Sequence, residues 1–453
     1  MSAKAMDLTT GSIPATLFRF AFPILLSQVL QNLYNSADAV VVGRFCDTTA
    51  LAAVSACSDM SRLLTGFFTG LSTGSGIMIA RYYGAKDLSQ LRKVIHTSLL
   101  FSILLGIFMA AAGILCAPWL LRITRCRADI FPQALHYLRI YLFGILFTSM
   151  YNVAASISRA VGDSRTPLLC LVASCITNIL VDFIAVAWLG LGVIGAGLAT
   201  VFSQLLSVTM VFFALFRTKD VHRISLQELH IHPQLLKEVI DLGLPAALQN
   251  SLTAISALFV QGYVNSFETY AIAGVGAARK IDKFAGLVAL SIGNATTMYV
   301  SQNLGADKPR QAIRGMYVAL AMTIGISVCI SAPSFFFAPS LVGIFSEDPQ
   351  TIAIGAAMVR TMMPLYFLQA FCTIHAHAIR GFRYSRTIMA INLFSFILVR
   401  QVFLAVAMNI SHDIRFIYLC EPIGWAVASV LDILFFHFYV KPHQLSAEEA
   451  SAQ

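Results

Sequence analysis

The 453-residue chain has little charge: Asp, Glu, Lys and Arg make up 12% of it, while 58% is hydrophobic. An ordinary soluble domain carries about 25% charged residues. Too few polar side chains are present to cover a soluble surface, which excludes a water-soluble globular fold. Other patterns are missing too. The nine cysteines (Cys46, Cys57, Cys116, Cys126, Cys170, Cys175, Cys329, Cys372 and Cys420) form no Cys-x-x-Cys pair. Most lie in apolar stretches and read as small core residues; a Cys116–Cys126 bridge in one outside loop stays open. Met1 to Gly11 is short, polar and without a cleavable signal pattern, so the first apolar segment is expected to remain in the mature protein. The weak alternation of a β-barrel is absent. The net charge of +9 does not suggest nucleic acid; it reports which loops face the cytoplasm.

What the chain has is long, uniform apolar runs. A spanning helix needs about 20 largely apolar residues. Twelve such segments are centred in 14–43, 50–80, 91–117, 133–158, 166–188, 193–216, 236–263, 269–301, 311–337, 353–379, 387–409 and 416–440. The reading is an all-α polytopic membrane protein. Several segments exceed 25 residues, which implies tilt, bends or protrusion from the bilayer. Pro23 and Pro245, early in segments 1 and 7, are candidate hinges. With the amino end inside, cytoplasmic segments hold nineteen of the 31 Lys and Arg, and outside loops hold five (Arg44, Arg122, Arg125, Arg127 and Arg415). Both termini are therefore expected in the cytoplasm.

The chain also repeats itself. A shift of 221 places Gly84-Ala85 on Gly305-Ala306, Ala117-Pro118 on Ala338-Pro339, Arg139 on Arg360, Arg159 on Arg380, and Ser164-Arg165-Thr166 on Ser385-Arg386-Thr387. Pro23 meets Pro245 at a shift of 222. Six segments per repeat means that both halves enter with the same orientation. Parallel repeats of this kind make transporters with a central, alternately opened cavity. The expected organisation is an amino-terminal six-helix lobe (1–220), a cytoplasmic linker (221–232), a pseudo-symmetric carboxy-terminal six-helix lobe (233–441) around a shared cavity, and a cytoplasmic tail (442–453). The linker is either irregular or an interfacial helix. Its His222, His230 and His232 have poor spacing for a metal site, and no transition-metal site is expected.

Asp38 stands in the first apolar segment with apolar residues for about two helical turns on either side. A carboxylate at membrane depth costs about 2.5–3.5 kcal/mol on insertion scales and marks a functional site unless it is a neutral, hydrogen-bonded core group. Other buried-segment charges are Asp59 and Arg62, three apart, and Lys280, Asp282 and Lys283 at the repeat images of Asp59, Ser61 and Arg62. Asp59, Arg62, Lys280 and Lys283 are candidates to line the cavity, as is Glu421 beside Pro422. His375 and His377 are two apart, so they point in different directions on a helix and make no catalytic pair. The 33 Phe and 15 Met face lipid or core, with a few expected to line the cavity. No nucleophile–base or metal constellation survives the spacing, so an enzyme is not expected.

Four stretches carry a resemblance. Tyr34-Asn-Ser-Ala-Asp38, followed by Val42-Gly-Arg44, is similar to the first helix of multidrug and toxic compound extrusion (MATE) transporters. Ser72-Thr-Gly-Ser-Gly and Ala80-Arg-Tyr-Tyr-Gly-Ala-Lys-Asp87 resemble the end of that family's second helix. Arg159-Ala-Val-Gly-Asp-Ser-Arg-Thr-Pro167 resembles its fourth intracellular turn, and Asn178-Ile-Leu-Val-Asp182 its fifth helix. The resemblance covers residues 8 to 440. It implies efflux of an organic, cationic or amphipathic drug-like solute against inward Na+ or H+, with no other cofactor. It implies a prokaryotic inner (cytoplasmic) membrane and a cation site in the amino-terminal lobe. That site falls on Asp38, Asn178, Asp182 and Thr200, with Tyr34 and Asn35 within one turn of Asp38 as candidates to support it. The family's other branch uses an acidic residue on helix 7, and Leu248 to Val264 contains none. Arg400, near the repeat image of Asn178, suggests that the carboxy-terminal lobe has no second cation site.

Asn178 and Asp182 are four apart and share a helix face. Hard oxygen ligands suit Na+, and a carboxylate suits a proton; the sequence leaves both open. The alternative for the aspartates is permanent protonation within helix–helix hydrogen bonds. For Thr200 the alternative is a bond to its own helix backbone. The partners expected are a small-molecule substrate and membrane lipid, without nucleic acid, around a monomer. A lipid or lipid-linked precursor flippase of the same superfamily is the competing function, for which more than twelve spans are expected.

Overall fold

The computed structural model describes residues 6–451 apart from Arg125; the side chains at 35–39, 59 and 447–451 lie outside the described residues. Among these residues no strand occurs, and twelve helices are long and apolar enough to cross a membrane. They are α1 (Ile13–Phe45), α2 (Thr48–Gly84), α3 (Leu88–Ile123), α4 (Phe131–Ala160), α5 (Arg165–Trp188) and α6 (Gly192–Arg217). The second series is α7 (Pro233–Val264), α8 (Thr269–Gly305), α9 (Pro309–Phe336), α10 (Pro349–Gly381), α11 (Ser385–Ile410) and α12 (Arg415–Ser446). Every backbone group in a bilayer must be bonded within the chain, which is why the apolar runs are helical. Large apolar side chains such as Leu115, Trp188, Ile410 and Phe438 point outward. In water such a belt would aggregate; in lipid it is the solvated surface. The protein is an integral membrane protein.

The repeat seen in the sequence is written into the backbone. Lys86 and Asp307, 221 apart, both turn at positive φ (58° and 59°). Gly162 and Arg383, also 221 apart, do the same (90° and 74°). Left-handed backbone is uncommon for residues other than glycine, so two such pairs at one shift mean that both halves use the same turns between helices. Asp87 caps α3 by accepting from the Gln90 amide at 3.1 Å. Its image Lys308 has no such side chain, and α9 starts with Pro309 instead, whose missing N–H removes one unsatisfied donor.

The helices form two compact units. Among the described residues, the first contains 6–7 and Leu26–Ala247; the second contains Leu8–Leu25 and 248–451. The core of the first gathers Val42, Ala53, Phe68, Leu121, Leu138, Leu142 and Ile145. That of the second gathers Val260, Val275, Met358, Met362, Tyr366, Leu404 and Trp425. The starts of α1 and α7 are thus exchanged between units, and the changeovers follow Pro23 and Pro245 by two residues. Side-chain hydrogen bonds hold one exchanged piece and close backbone packing holds the other. The Leu8 amide donates to Gln302 Oε1 at 3.1 Å, and the Asn303 amide donates to the Leu8 carbonyl at 3.2 Å. On the other side, Gly70 and Gly74 of α2 lie flat against the α7 backbone at Val239, Gly243 and Ala247. A Cβ at Gly74 would fall on the Val239 carbonyl oxygen.

The segment after α6 is tied down without forming an interfacial helix. Its regular part is the short 3-10 turn Leu226–Glu228, and side chains of α3 replace the missing helical bonds. The Ser225 amide donates to His96 Nε2 at 3.0 Å, and the His232 amide donates to Thr97 Oγ1 at 3.2 Å. His96 Nδ1 sits 2.8 Å from the Arg92 carbonyl, so the proton is assigned to Nδ1 and the acceptor to Nε2. No metal-binding group of three His, Cys, Asp or Glu occurs among the described residues. The nine cysteines are free thiols, so the Cys116–Cys126 bridge is not formed.

Two predictions follow from these contacts. Gly74→Val should overpack a backbone–backbone contact and cost about 1–3 kcal/mol or more. A lowered thermal midpoint in detergent is expected, while Gly262→Ala, with nothing within 4 Å, should leave it unchanged. His222 is buried, and burial holds its imidazole below the usual histidine range despite nearby Asp220 and Asp163. An unfolded linker binds that proton more readily, so stability is lost as pH falls below about 6.5. Amide exchange in 218–232, corrected for intrinsic rates, should quicken from pH 7.5 to 5.5 in the wild type and less so in His222→Leu.

Candidate ion-coupling site

Helices α5 and α6 build the candidate site. They are joined by a short loop in which Gly190 and Gly192 both take positive φ (65° and 55°), a conformation open to glycine, so α6 returns antiparallel to α5. Ser174 Oγ donates to the Ser203 carbonyl at 2.7 Å and sets their register. One turn along α5 from Ser174 is Asn178; one turn back along α6 from Ser203 is Thr200. This register puts the two at one level of the α5–α6 pair, and Asp182 lies a further turn along α5. Asp182 ends the regular α-helix, because Phe183–Trp188 is a π-helical segment, a distortion that frequently marks functional sites.

The site is dry. Asn178 and Asp182 are both 0% exposed, and Thr200 is 3% exposed. Neither the amide oxygen nor the amide nitrogen of Asn178 has a hydrogen-bond partner. A buried polar group left so costs about 1–3 kcal/mol, a cost that plain packing would avoid with Leu. Thr200 Oγ1 donates to the Ala196 carbonyl at 3.0 Å, as a helical threonine often does. That bond uses its proton and leaves its lone pairs as acceptors, so it is compatible with an ion ligand. Asn178, Asp182 and Thr200 together offer hard oxygens and one titratable group. The side chains of Asp38 and Asn35 lie outside the described residues, as does that of Asp59. Tyr34 is half-buried on α1, and Arg62 is exposed on α2.

In the second unit several intramembrane charges are bonded within the chain, while Asp432 of α12 is 0% exposed with neither carboxylate oxygen hydrogen-bonded. Arg400, 2% exposed, pairs with Glu421, whose side chain is 33% exposed. Its second terminal nitrogen donates to Ser256 Oγ at 2.7 Å, and Ser256 Oγ in turn donates to the Phe396 carbonyl at 2.8 Å. Phe396 lies in the π-helical segment Phe394–Val399 of α11, where the irregular ladder frees carbonyls. Gln401 donates to Ser256 Oγ at 2.9 Å. The Tyr366 hydroxyl donates to the Asp282 carboxylate. Lys280 is exposed and lies over the Phe345 ring at 4.9 Å; Lys283 is exposed. Sequence reading missed Ser256, Tyr366 and Gln401. The signal available for Ser256 is the repeat itself, because Tyr34 shifted by 222 falls there. His375 Nδ1 lies 2.9 Å from the Phe371 carbonyl, and His377 Nδ1 3.1 Å from Thr297 Oγ1; both are bonded core residues. An apolar groove of about 750 Å³ along α11 and α12 is lined by Leu398, Val402, Phe403, Val406, Ile410 and Phe416. It carries no part of this chemistry.

Twelve apolar helices in two repeats, with a dry carboxylate–carboxamide pair in one of them, define a polytopic solute transporter rather than an enzyme. The MatE family profile matches residues 23–184 and 245–406, once in each repeat. The chain therefore belongs to the MatE family, whose members are secondary transporters of small molecules. It is 27% identical over 443 residues to the probable multidrug resistance protein YoeA of Bacillus subtilis, covering 94% of each chain. It is 23% identical over 349 residues to the multidrug export protein MepA of Staphylococcus aureus, covering 77% of each. Among solved structures, an outward-facing multidrug resistance MATE transporter superposes with a TM-score of 0.91 at 22% identity, covering 99% of this chain and 100% of that one. A Pyrococcus furiosus transporter described as having a binding pocket of reversed polarity superposes at 0.90 and 23% identity over 99% of each chain. These likenesses establish the fold.

Asn178→Leu discriminates a ligand from a packing residue. Removing two unbonded polar atoms should leave the thermal midpoint in detergent unchanged or higher, while gradient-driven transport falls at least tenfold.

Proposed function

We propose that this protein is an antiporter of a prokaryotic inner membrane, exporting organic, cationic or amphipathic drug-like compounds in exchange for inward Na+ or H+. The observation that carries the reading is the fully buried Asn178–Asp182 face of α5, with the Asn178 amide unbonded. Asp182, Asn178 and Thr200 would hold the ion, and Asp38 joins them on the strength of the sequence. The two carboxylates then titrate as a pair. Multidrug names among the relatives support the substrate class. Twelve spans among the described residues favour an exporter over a flippase, for which extra helices are expected. The Lys and Arg bias supports cytoplasmic termini, and the proposed working form is a monomer within lipid.

Coupling requires only that ion and substrate favour opposite conformations. Ion binding at Asp38 and Asp182 would reshape α1 near Pro23, where the chain leaves the second unit for the first, with Pro245 its counterpart in α7. One charge moved inward through 100 mV supplies about 2.3 kcal/mol. At about 1.36 kcal/mol per tenfold ratio, that sustains a gradient of roughly fiftyfold for a neutral solute, whereas one-for-one exchange with a monovalent cation moves no net charge and draws on the ion's concentration gradient alone.

The test is dye efflux from liposomes under an imposed Na+ or proton gradient. Wild type should transport with one of the two gradients, which names the ion. Asp38→Asn and Asp182→Asn should each bind dye and lose gradient-driven transport by tenfold or more. Normal transport by both variants would overturn the ion site.

A further inference from the structure

The repeat can be laid over the ion site. A shift of 222 carries Asn178 to Arg400 and Tyr34 to Ser256; a shift of 221 carries Thr200 to Glu421. These are the two shifts that relate the halves elsewhere. The sequence thus nominates three residues of the carboxy-terminal half as images of the candidate site. The structure brings the three into direct contact: Arg400 bonds both Glu421 and Ser256. Nothing in the register of the repeat requires those side chains to meet.

The images keep the topology and change the chemistry. Where the amino-terminal half has a neutral amide, the carboxy-terminal half has a guanidinium, which stays charged at every accessible pH. Where the first has a hydroxyl, the second has a carboxylate. The result is an acidic group with its cation already supplied by the chain. The pocket is built for a cation: the Glu421 carboxylate, the Ser256 hydroxyl and, through Ser256, the freed Phe396 carbonyl surround the guanidinium. Arg400 Nε has no hydrogen-bond partner.

We propose that Arg400 is a tethered cation: its guanidinium permanently fills, in the carboxy-terminal half, the place that an exchangeable ion fills in the amino-terminal half. One half of the transporter then responds to the ion and the other is held loaded. This rests on the reading of Asn178, Asp182 and Thr200 as an ion site. The charged or titratable groups around the pair are Arg279 and Asp282 of α8, Tyr366 of α10 and Cys420 of α12. Arg279 is engaged with Gln261 at 2.6 Å and Asp282 with Tyr366, so Glu421 is the carboxylate that Arg400 neutralises.

The experiment removes the tether and supplies the cation from solution. Full-length protein carrying Asp182→Asn, which empties the amino-terminal site, is compared with Asp182→Asn/Arg400→Ala. The thermal midpoint in detergent is followed against guanidinium, Na+ and pH, with urea as the neutral twin of guanidinium. Asp182→Asn alone should show no saturable response to guanidinium or Na+, and its pH profile is the baseline for the double variant. The double variant should gain a saturable rise with low-millimolar guanidinium or Na+, or with acidification, and none with urea. Adding Glu421→Gln should abolish that gain. A double variant that stays flat toward every cation, or answers urea as it answers guanidinium, would overturn the proposal. If the double variant is misfolded after extraction, extraction is repeated in guanidinium. Recovery of monodisperse protein supports the tether, and failure with every cation makes the pair a structural clasp and overturns it. If Asp182→Asn alone keeps the wild-type ion response, the amino-terminal site itself is misassigned, a failure seen before Arg400 is touched.

Discussion

Burying a charge in hydrocarbon is the constraint on which this structure depends. Lipid offers no water, so each intramembrane ionisable group must be bonded by the chain or serve a ligand. Both solutions are present. In the second unit, Arg400 and Glu421 answer each other and Asp282 receives the Tyr366 hydroxyl. In the first, the Asn178 amide is left without any bond beside Asp182. Asp432 of the second unit shares that state, 0% exposed with neither carboxylate oxygen hydrogen-bonded.

The two halves share a scaffold and differ in chemistry. Turns at positive φ recur at one spacing, and each half carries a family match of its own. Within that scaffold, single side chains at related positions decide what a half can do: a carboxamide and a hydroxyl leave room for an ion, while a guanidinium and a carboxylate fill it. Duplicating a lobe and then altering a few dry positions is an economical route to a transporter whose halves do different work.

Close backbone approach shapes the units as much as side-chain packing does. Gly70 and Gly74 admit the α7 backbone to within van der Waals contact of α2. With few apolar–apolar driving forces available between helices in lipid, small residues at helix contacts supply much of the association. The same glycines assign Pro233–Ala247 to the first unit, and the changeovers in α1 and α7 fall just after prolines. A proline removes a helical hydrogen bond, and each of these two helices carries one just before its changeover.

The sequence by itself determined the class, the helix count, the repeat and the family, because these rest on local quantities: twenty-residue apolar runs, a constant shift, and motifs of a few adjacent residues. It also placed Asn178 and Asp182 on one face, since helical spacing is local. Tertiary structure alone decided the rest. That Leu8–Leu25 belongs with the second unit depends on Gln302 and Asn303, almost three hundred residues away. That Ser256 and Tyr366 take part in the charge network depends on which helices touch. That the linker is an irregular strap rather than a helix depends on His96 and Thr97 offering bonds from α3. Each is a contact between residues distant in the chain, where neither periodicity nor composition leaves a mark.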